Sequence, residues 1–445
     1  MRCDEAQHTD ILQCVFDRLR KKKFPFLQCV SVNGHFGVKI IFTPRTHQFA
    51  MQQARRLAPM TRRWIVADMD STLLRKELGV NGDLDDSPCR APLFEWLQQG
   101  GNLCVVTSDD GFRPFTQMWE QIPAELRADG RVAISTSDGA ALFRGGAAGE
   151  VVEDVAYWEA GAGITKGIDE LMDIARDMLV AFFVDCLADR SLLAALDKRR
   201  AAAYTAVLDE AVAAGGDATA AIEELLPLSR LLAPGGVTQR GTMLWRNQAG
   251  PIEQWKRTPG VKSLLASLAE VQKDARYTNL FLMGLPRVLS ARYIARFEPR
   301  LAALGYEASA APNTVCLKNA AVSKALPVQW LSGLMEGAPE PPVLSLRRAV
   351  AFGDNPSGND KPLTTFGDQG MPFVSVAPEQ DEALPPGLAA LHVGGLEHGS
   401  AAVLSRLVQD WRSGGDESWC PSDGLERACS AAKAELVERE RQPKL

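Results

Sequence analysis

Paired cysteines are what this sequence most clearly lacks. Its nine cysteines, at positions 3, 14, 29, 89, 104, 186, 316, 420 and 429, form no CxxC pair and no compact cluster. Neither a disulfide framework nor a zinc site is signalled, and a reducing compartment fits best. Long apolar runs are missing too. The best candidate, Met178 to Val184, is broken by Asp185, far short of the roughly 18 to 20 residues that span a bilayer, so no membrane partner is expected. Charge of one sign is not in excess: a net charge of -6 over 445 residues gives no general push toward nucleic acid. No repeat of fixed period is visible. The first residues carry Asp4, Glu5, Asp10 and Asp17 and no apolar stretch of signal-peptide type, so a cytoplasmic location is expected. The five histidines (8, 35, 47, 392 and 398) fall near no motif and are assigned no catalysis. Oligomeric state is not readable.

What is present is length enough for two domains plus extensions, and one stretch around which the rest is organised. Residues 63 to 72 read RWIVADMDST. Ile65, Val66 and Ala67 are short and apolar enough for a buried parallel strand. Asp68 and Asp70 follow at once, where an open α/β sheet binds its ligands. Carboxylates so close repel one another and call for a cation or a shared proton.

Before this stretch lies an extension with a possible helix from Thr9 to Lys23 and two strand-like runs, Leu27 to Val32 and Val38 to Phe42. Asn33-Gly34 between them suggests a hairpin with a connection longer than two residues. After it the pattern is strand, helix, strand: a helix opening near Pro92 and stopped by Gly100-Gly101, then Leu103 to Val106 ending in Thr107 and Ser108. An amphipathic stretch from Pro114 to Leu126 and the strand Val132 to Ser135 continue the alternation. From about Ala140 to Pro312 the texture changes to Ala- and Leu-rich helices, such as Ser191 to Ala213 and Ala218 to Leu226, with strand-like pieces at Thr242 to Trp245 and Asn279 to Met283. This reads as an inserted domain. Then Ala321 to Leu331 is helical with a break at Pro327 and carries Lys324; Arg348 to Phe352 is a strand opening onto GDNPSGND, residues 353 to 360. Phe373 to Val376 is a last strand, Ser400 to Trp411 a closing helix, and Leu425 to Arg441 a helix within a polar tail.

The loops after 67 and after 352 each follow an apolar strand, so both can converge on one edge of a sheet. Asp68, Asp70 and Asp354 then offer hard oxygens to a divalent cation such as Mg²⁺. A phosphate monoester beside that ion finds each group phosphoryl transfer needs. Asp68 suits the nucleophile, Asp70 the general acid and base, Thr107 a hydrogen bond to a phosphoryl oxygen, and Lys324 a point charge. Ser108, Asn359 and Asp360 would brace the site. Arg240, Trp245 and Arg246 in the insertion are candidates for substrate contact, against the plainer reading of surface arginines flanking a core aromatic.

DMDST, the hydroxyl ending of LCVVTS, the lysine in NAAVSKAL and AFGDNPSGND together resemble the four ordered motifs of the haloacid dehalogenase superfamily of phosphohydrolases. The insertion between the second and third motifs is similar to the branch with a large α/β cap. The resemblance implies a doubly wound, mostly parallel Rossmann-like sheet with an inserted, helix-rich α/β cap. The expected boundaries are an extension at 1–60, core at 61–142 and 313–414, cap at 143–312 and a polar tail at 415–445. It further implies a Mg²⁺-dependent phosphatase acting on a small phosphomonoester, a sugar phosphate or nucleotide, through an aspartyl-phosphate. A phosphomutase using the same intermediate, or a catalytically silent scaffold with this fold, remains the alternative.

Overall fold

In the computed structural model the described residues are 27–32, 35–40, 62–77, 80–109, 113–161, 168–196, 198–227, 244–249, 276–283, 285, 287–311, 314–378, 388–414 and 419–441. The chain divides into two compact units, Met1–Ala58 and Pro59–Leu445. In the first, β1 (Leu27–Val32) and β2 (His35–Ile40) form an antiparallel hairpin. Val32 pairs with His35, so the connection is the tight two-residue kind that Asn-Gly favours, shorter than the spacing of apolar residues suggests. The expected helix Thr9 to Lys23 lies outside the described residues.

The second unit is built on β3 (Trp64–Ala67), a small hairpin of β4 (Lys76–Glu77) with β5 (Val80–Asn81), then β6 (Asn102–Val106), β7 (Val132–Thr136), β8 (Ala141–Gly145) and β9 (Val151–Glu153). The insertion adds β10 (Leu244–Ala249), β11 (Arg276–Met283), β12 (Tyr306–Ala311) and β13 (Thr314–Asn319); β14 (Ala349–Gly353), β15 (Phe373–Ser375) and β16 (Ala390–His392) complete the unit. Eight strands form one sheet in the order β16-β15-β14-β3-β6-β7-β8-β9. The six from β16 to β7 are parallel, and β8 and β9 run antiparallel at the edge.

Alternation along the strands explains why the sheet is covered on both faces. Ile65, Ala67, Leu103, Val105, Val350 and Phe352 join one apolar cluster. Their neighbours Trp64, Val66, Cys104, Val106, Ala349 and Ala351 join another. Helices Arg90–Gln98, Leu396–Gly414 and Leu425–Arg441 contribute to the first layer, and helix Ala325–Leu331 to the second. The result is a three-layer α/β/α core. Cys89 and Cys104 are free packing residues whose thiols burial pushes up to about 12.

A second sheet, β10-β11-β13-β12, is antiparallel throughout. Val315 and Leu317 of β13 pack with helices Ile168–Ala188, Lys198–Ala213, Ala218–Leu225 and Arg287–Ala303 in a separate apolar core. The core sheet keeps β8 and β9 beyond residue 142, and β13 of the inserted sheet continues past 312. The insertion therefore leaves the main sheet after Glu153 and ends near Asn319, later at both ends than composition suggests. A composition shift cannot mark that boundary, because β8 and β9 are as apolar as their neighbours.

Three further differences have local causes. The stretch 114–126 is a π-helical turn, Pro114–Trp119, and a short helix, Ala124–Arg127, because Pro123 cannot continue the first. Pro327 sits inside helix Ala325–Leu331 without breaking it, since a proline in the first turn forfeits no intrahelical bond. The polar tail carries a helix that docks on its own core, burying Leu425, Ala428, Cys429 and Ala432. Beside it, Trp411 and Trp419 stack at 5.7 Å, Trp96 meets Trp411 edge-on at 4.9 Å, and the Arg63 guanidinium lies 4.4 Å from the Trp411 ring. Arg63 Nε also donates to the Trp419 carbonyl at 2.7 Å. Among the described residues no helix is long and apolar enough to cross a membrane.

Candidate active site

The strand sequence reverses direction between β3 and β14: the chain runs outward from β3 through β6 and β7, and outward the other way from β14 through β15 and β16. Such a switch point opens a crevice beyond the strand ends. Asp68 follows β3, Asp354 follows the last residues of β14, and Thr107 follows β6. A backbone bond from Asp68 N to Phe352 O at 3.0 Å ties the first two loops together.

Oxygens of Asp68, Asp354 and Asp360 lie within 4.8 Å of one another. Lys324 Nζ donates to Asp68 Oδ1 at 2.6 Å and to Asp360 Oδ1 at 2.7 Å, with the ammonium fully buried. Asp360 Oδ2 accepts from Asn355 N at 3.0 Å. Gly353 permits this approach: a Cβ there would meet Asp360 Oδ2 at 2.4 Å. Three carboxylates against one ammonium leave excess negative charge in a low-dielectric site. Burial, reinforced by Asp360 and Asp354, lifts the Asp68 carboxyl well above its ordinary value despite Lys324. Burial and Asp360 raise Asp354 to about 6. Burial alone would lower the Lys324 ammonium, but Asp360 and Asp68 outweigh it and raise it.

The donor set fits a hard divalent cation, being all oxygen and over-charged. Asn359 Oδ1 adds a buried acceptor with no hydrogen-bond partner. Asp70, expected among the ligands, is placed differently. Its carboxylate is held by Arg113 Nη2 at 2.8 Å and Lys76 Nζ at 2.9 Å, and it lies outside the group of three. The turn after Asp68, with Ser71 at φ 60°, re-aims it from the face it would share in extended backbone. Asp360, expected among the residues supporting the site, lies within the cluster. Burial favours the neutral form of Asp70, yet Lys76 and Arg113 prevail and lower its carboxyl.

Thr107 is buried, and its Oγ1 accepts from Asp109 N at 3.1 Å. Asp109 pairs through Oδ2 with Arg113 Nη1 at 2.7 Å. Ser108 Oγ donates to Asp138 Oδ1 at 2.7 Å and accepts from Asn359 Nδ2 at 2.9 Å. Trp245 and Arg246 lie on β10, opposite Phe281 and Leu280 of β11; Arg240 lies outside the described residues. Lys76, Arg113 and Asp138 carry no motif of their own. Only their position shortly after a strand-end acid or hydroxyl could have drawn attention to them.

Strand order and the switch point beneath two acid-bearing loops, joined by one lysine, define the class: an α/β protein with a doubly wound, mostly parallel sheet. No family model and no curated protein matches the sequence. Among solved structures the chain is similar to a haloacid dehalogenase-like hydrolase from B. subtilis, at 14% identity and TM-score 0.36, over 78% of this chain and 99% of that one. One from Bacteroides thetaiotaomicron gives 14%, 0.37, 78% and 99%. An N-terminally truncated, IMP-bound IMP-nucleotidase from Plasmodium falciparum gives 10% and 0.38, over 90% of this chain and 79% of that one.

Proposed function

We propose that the protein is a Mg²⁺-dependent phosphatase of a small phosphomonoester, a sugar phosphate or nucleotide, working through an aspartyl-phosphate on Asp68. The observation that carries this reading is the Lys324 ammonium bridging Asp68 and Asp360 beside Asp354. Asp68 and Asp354 would hold the ion, with Asn359 Oδ1 facing its shell. When bound, Mg²⁺ supplies charge neutralisation for the phosphoryl group.

The remaining work falls to the chain. Lys324 orients Asp68 and faces the developing charge, since a buried ammonium acts strongly in a dry site. The Thr107 hydroxyl accepts from a backbone amide, so its own proton is left for a phosphoryl oxygen. Asp68 attacks phosphorus as the leaving oxygen departs. Asp70 is held ionised, the form that activates water in the second half of the cycle. In the first half it must take up a proton from solvent and pass it to the leaving oxygen, which requires one of its two cations to turn toward the incoming phosphate instead.

The test is phosphate release from sugar phosphates and nucleotides, with and without Mg²⁺. Asp68→Asn is expected to lower kcat by about 10⁴-fold or more with an unchanged circular dichroism spectrum. Activity surviving that substitution, or independent of Mg²⁺, overturns the reading. Recovery of a phosphorylated isomer in place of free phosphate indicates the mutase instead.

A further inference from the structure

Lys318, on β13 of the inserted sheet, is a buried cation that the chemistry above does not use. Its side chain is 1% exposed. Val315 and Leu317 belong to the insertion's apolar core, whereas Cys316 and Lys318 do not, so alternation sets Lys318 on the other face. The turn Ser137–Gly139 of the main core approaches β10 and β11, the latter being the strand that pairs with β13. This turn carries Asp138, fully buried and in left-handed conformation at φ 57°. Lys318 has one ion pair among the described residues, with the half-exposed Glu307 at 3.5 Å. A weak, wet partner does not offset burial of an ammonium. Although burial works against it, the Lys318 ammonium is raised above its ordinary value, with Asp138 the leading charge in its favour.

Asp138 begins a chain of hydrogen bonds into the site. A carboxylate only accepts, so Ser108 must spend its single proton on Asp138 Oδ1. Ser108 Oγ can then only accept from Asn359, which must present Nδ2 and turn Oδ1 away. That leaves Oδ1 as the buried, unpartnered acceptor. The polarity of the whole relay is fixed by the negative charge at its start.

We infer that Lys318, delivered by the inserted domain, is a positioning residue for the site: it steadies Asp138, and through Ser108 and Asn359 it sets the loop bearing Asp354 and Asp360. The insertion thereby orders the site from a distance as well as lying beside it. The activity arm of the test rests on the phosphatase reading; the exchange arm does not.

The experiment compares Lys318→Met, Lys318→Arg, Asp138→Asn, Glu307→Gln and the Lys318→Met/Asp138→Asn double variant in the full chain. It reads p-nitrophenyl phosphate hydrolysis with Mg²⁺, and amide hydrogen exchange of residues 353–360 without substrate. Removing a partner that orients a ligand costs about 10–100-fold. Lys318→Met and Asp138→Asn are each expected to lose that much in kcat with KM little changed. The double variant should lose no more than either single one, because residues acting through one chain are not additive. Loop exchange should rise in both singles, stay as in the wild type in Glu307→Gln, and return toward wild type in Lys318→Arg. Additive losses, an unchanged loop in Lys318→Met, or a Glu307→Gln variant that reproduces it overturns the inference. Should Lys318→Met not fold, Lys318→Gln takes its place in the cycle. A wild type that releases no phosphate removes the activity arm and sinks the phosphatase reading, while exchange still decides the role of Lys318.

Discussion

Lys324 is the residue whose loss the fold feels first. Among the described residues it is the one ammonium that bonds the buried Asp68 and Asp360 beside the half-buried Asp354, and breaking a buried ion pair by removing one partner costs about 3–5 kcal/mol. Lys324→Met is expected to lose that much in urea denaturation without metal, with part restored by Mg²⁺. Arg113 acts on a neighbouring group. Because it and Lys76 lower the Asp70 carboxyl, Arg113→Gln should raise it toward the ordinary carboxylate range. The acidic limb of the pH dependence of kcat/KM should then move to higher pH. At this scale the sequence was informative where chemistry and strand ends coincide: Asp68, Thr107 and Asp354 follow apolar runs that only a sheet interior explains. Lys324 was legible only as the charge such a site needs. Arg113, Lys76 and Lys318 were not, since nothing in their spacing announces which carboxylate each will meet. The direction of the Asp70 carboxylate was not legible for the same reason, being set by a turn rather than by the two-residue spacing.

Among elements, the strands of the main sheet were readable because each is buried on both faces and bounded by turn residues, as β3, β6, β7 and β14 illustrate. β4, β5 and β16 were not, at two or three residues each, too short to establish a period. Helix Leu425–Arg441 was legible as a helix but not as part of the core. Its buried face is Leu425, Ala428, Cys429 and Ala432, small residues that contribute little hydropathy yet allow close packing against helix Leu396–Gly414. Leu425 is its largest wholly buried side chain, and Leu425→Ala should cost about 2–5 kcal/mol. A fall in the thermal midpoint with KM unchanged is the expected result; a change in KM at constant midpoint would contradict it.

For the molecule as a whole, the carboxylate cluster sets how stability follows pH. Asp354 titrates at about 6 in the folded protein against an ordinary value of 3.8, and Asp68 is raised in the same direction. Between those values the folded state holds a proton that the unfolded chain has released. Stability should therefore fall as pH rises through that window. Asp70 works in the opposite sense, its contribution being lost only as pH falls through a lowered value. Lys324, raised above its ordinary value, contributes throughout and is lost only at far higher pH. Melting curves in chelator are thus expected to decline from pH 4 toward pH 6.5, and Mg²⁺ should reverse the decline at its upper end by neutralising the same oxygens. Asp354→Asn should flatten the profile. A chelator profile that rises over this interval would argue that the cluster is not ionising as its burial requires.

Arg63 stands five positions before Asp68 on one nearly straight piece of backbone. The ring system gripping it comes from Trp411 and Trp419, at the far end of the polypeptide. A fastener drawn from a distant part of the chain is thus tied to the root of the rod whose tip bears Asp68. Nicking the backbone between those two tryptophans would slacken the rod at its base, and indole fluorescence would register the release without any reagent touching the carboxylate end.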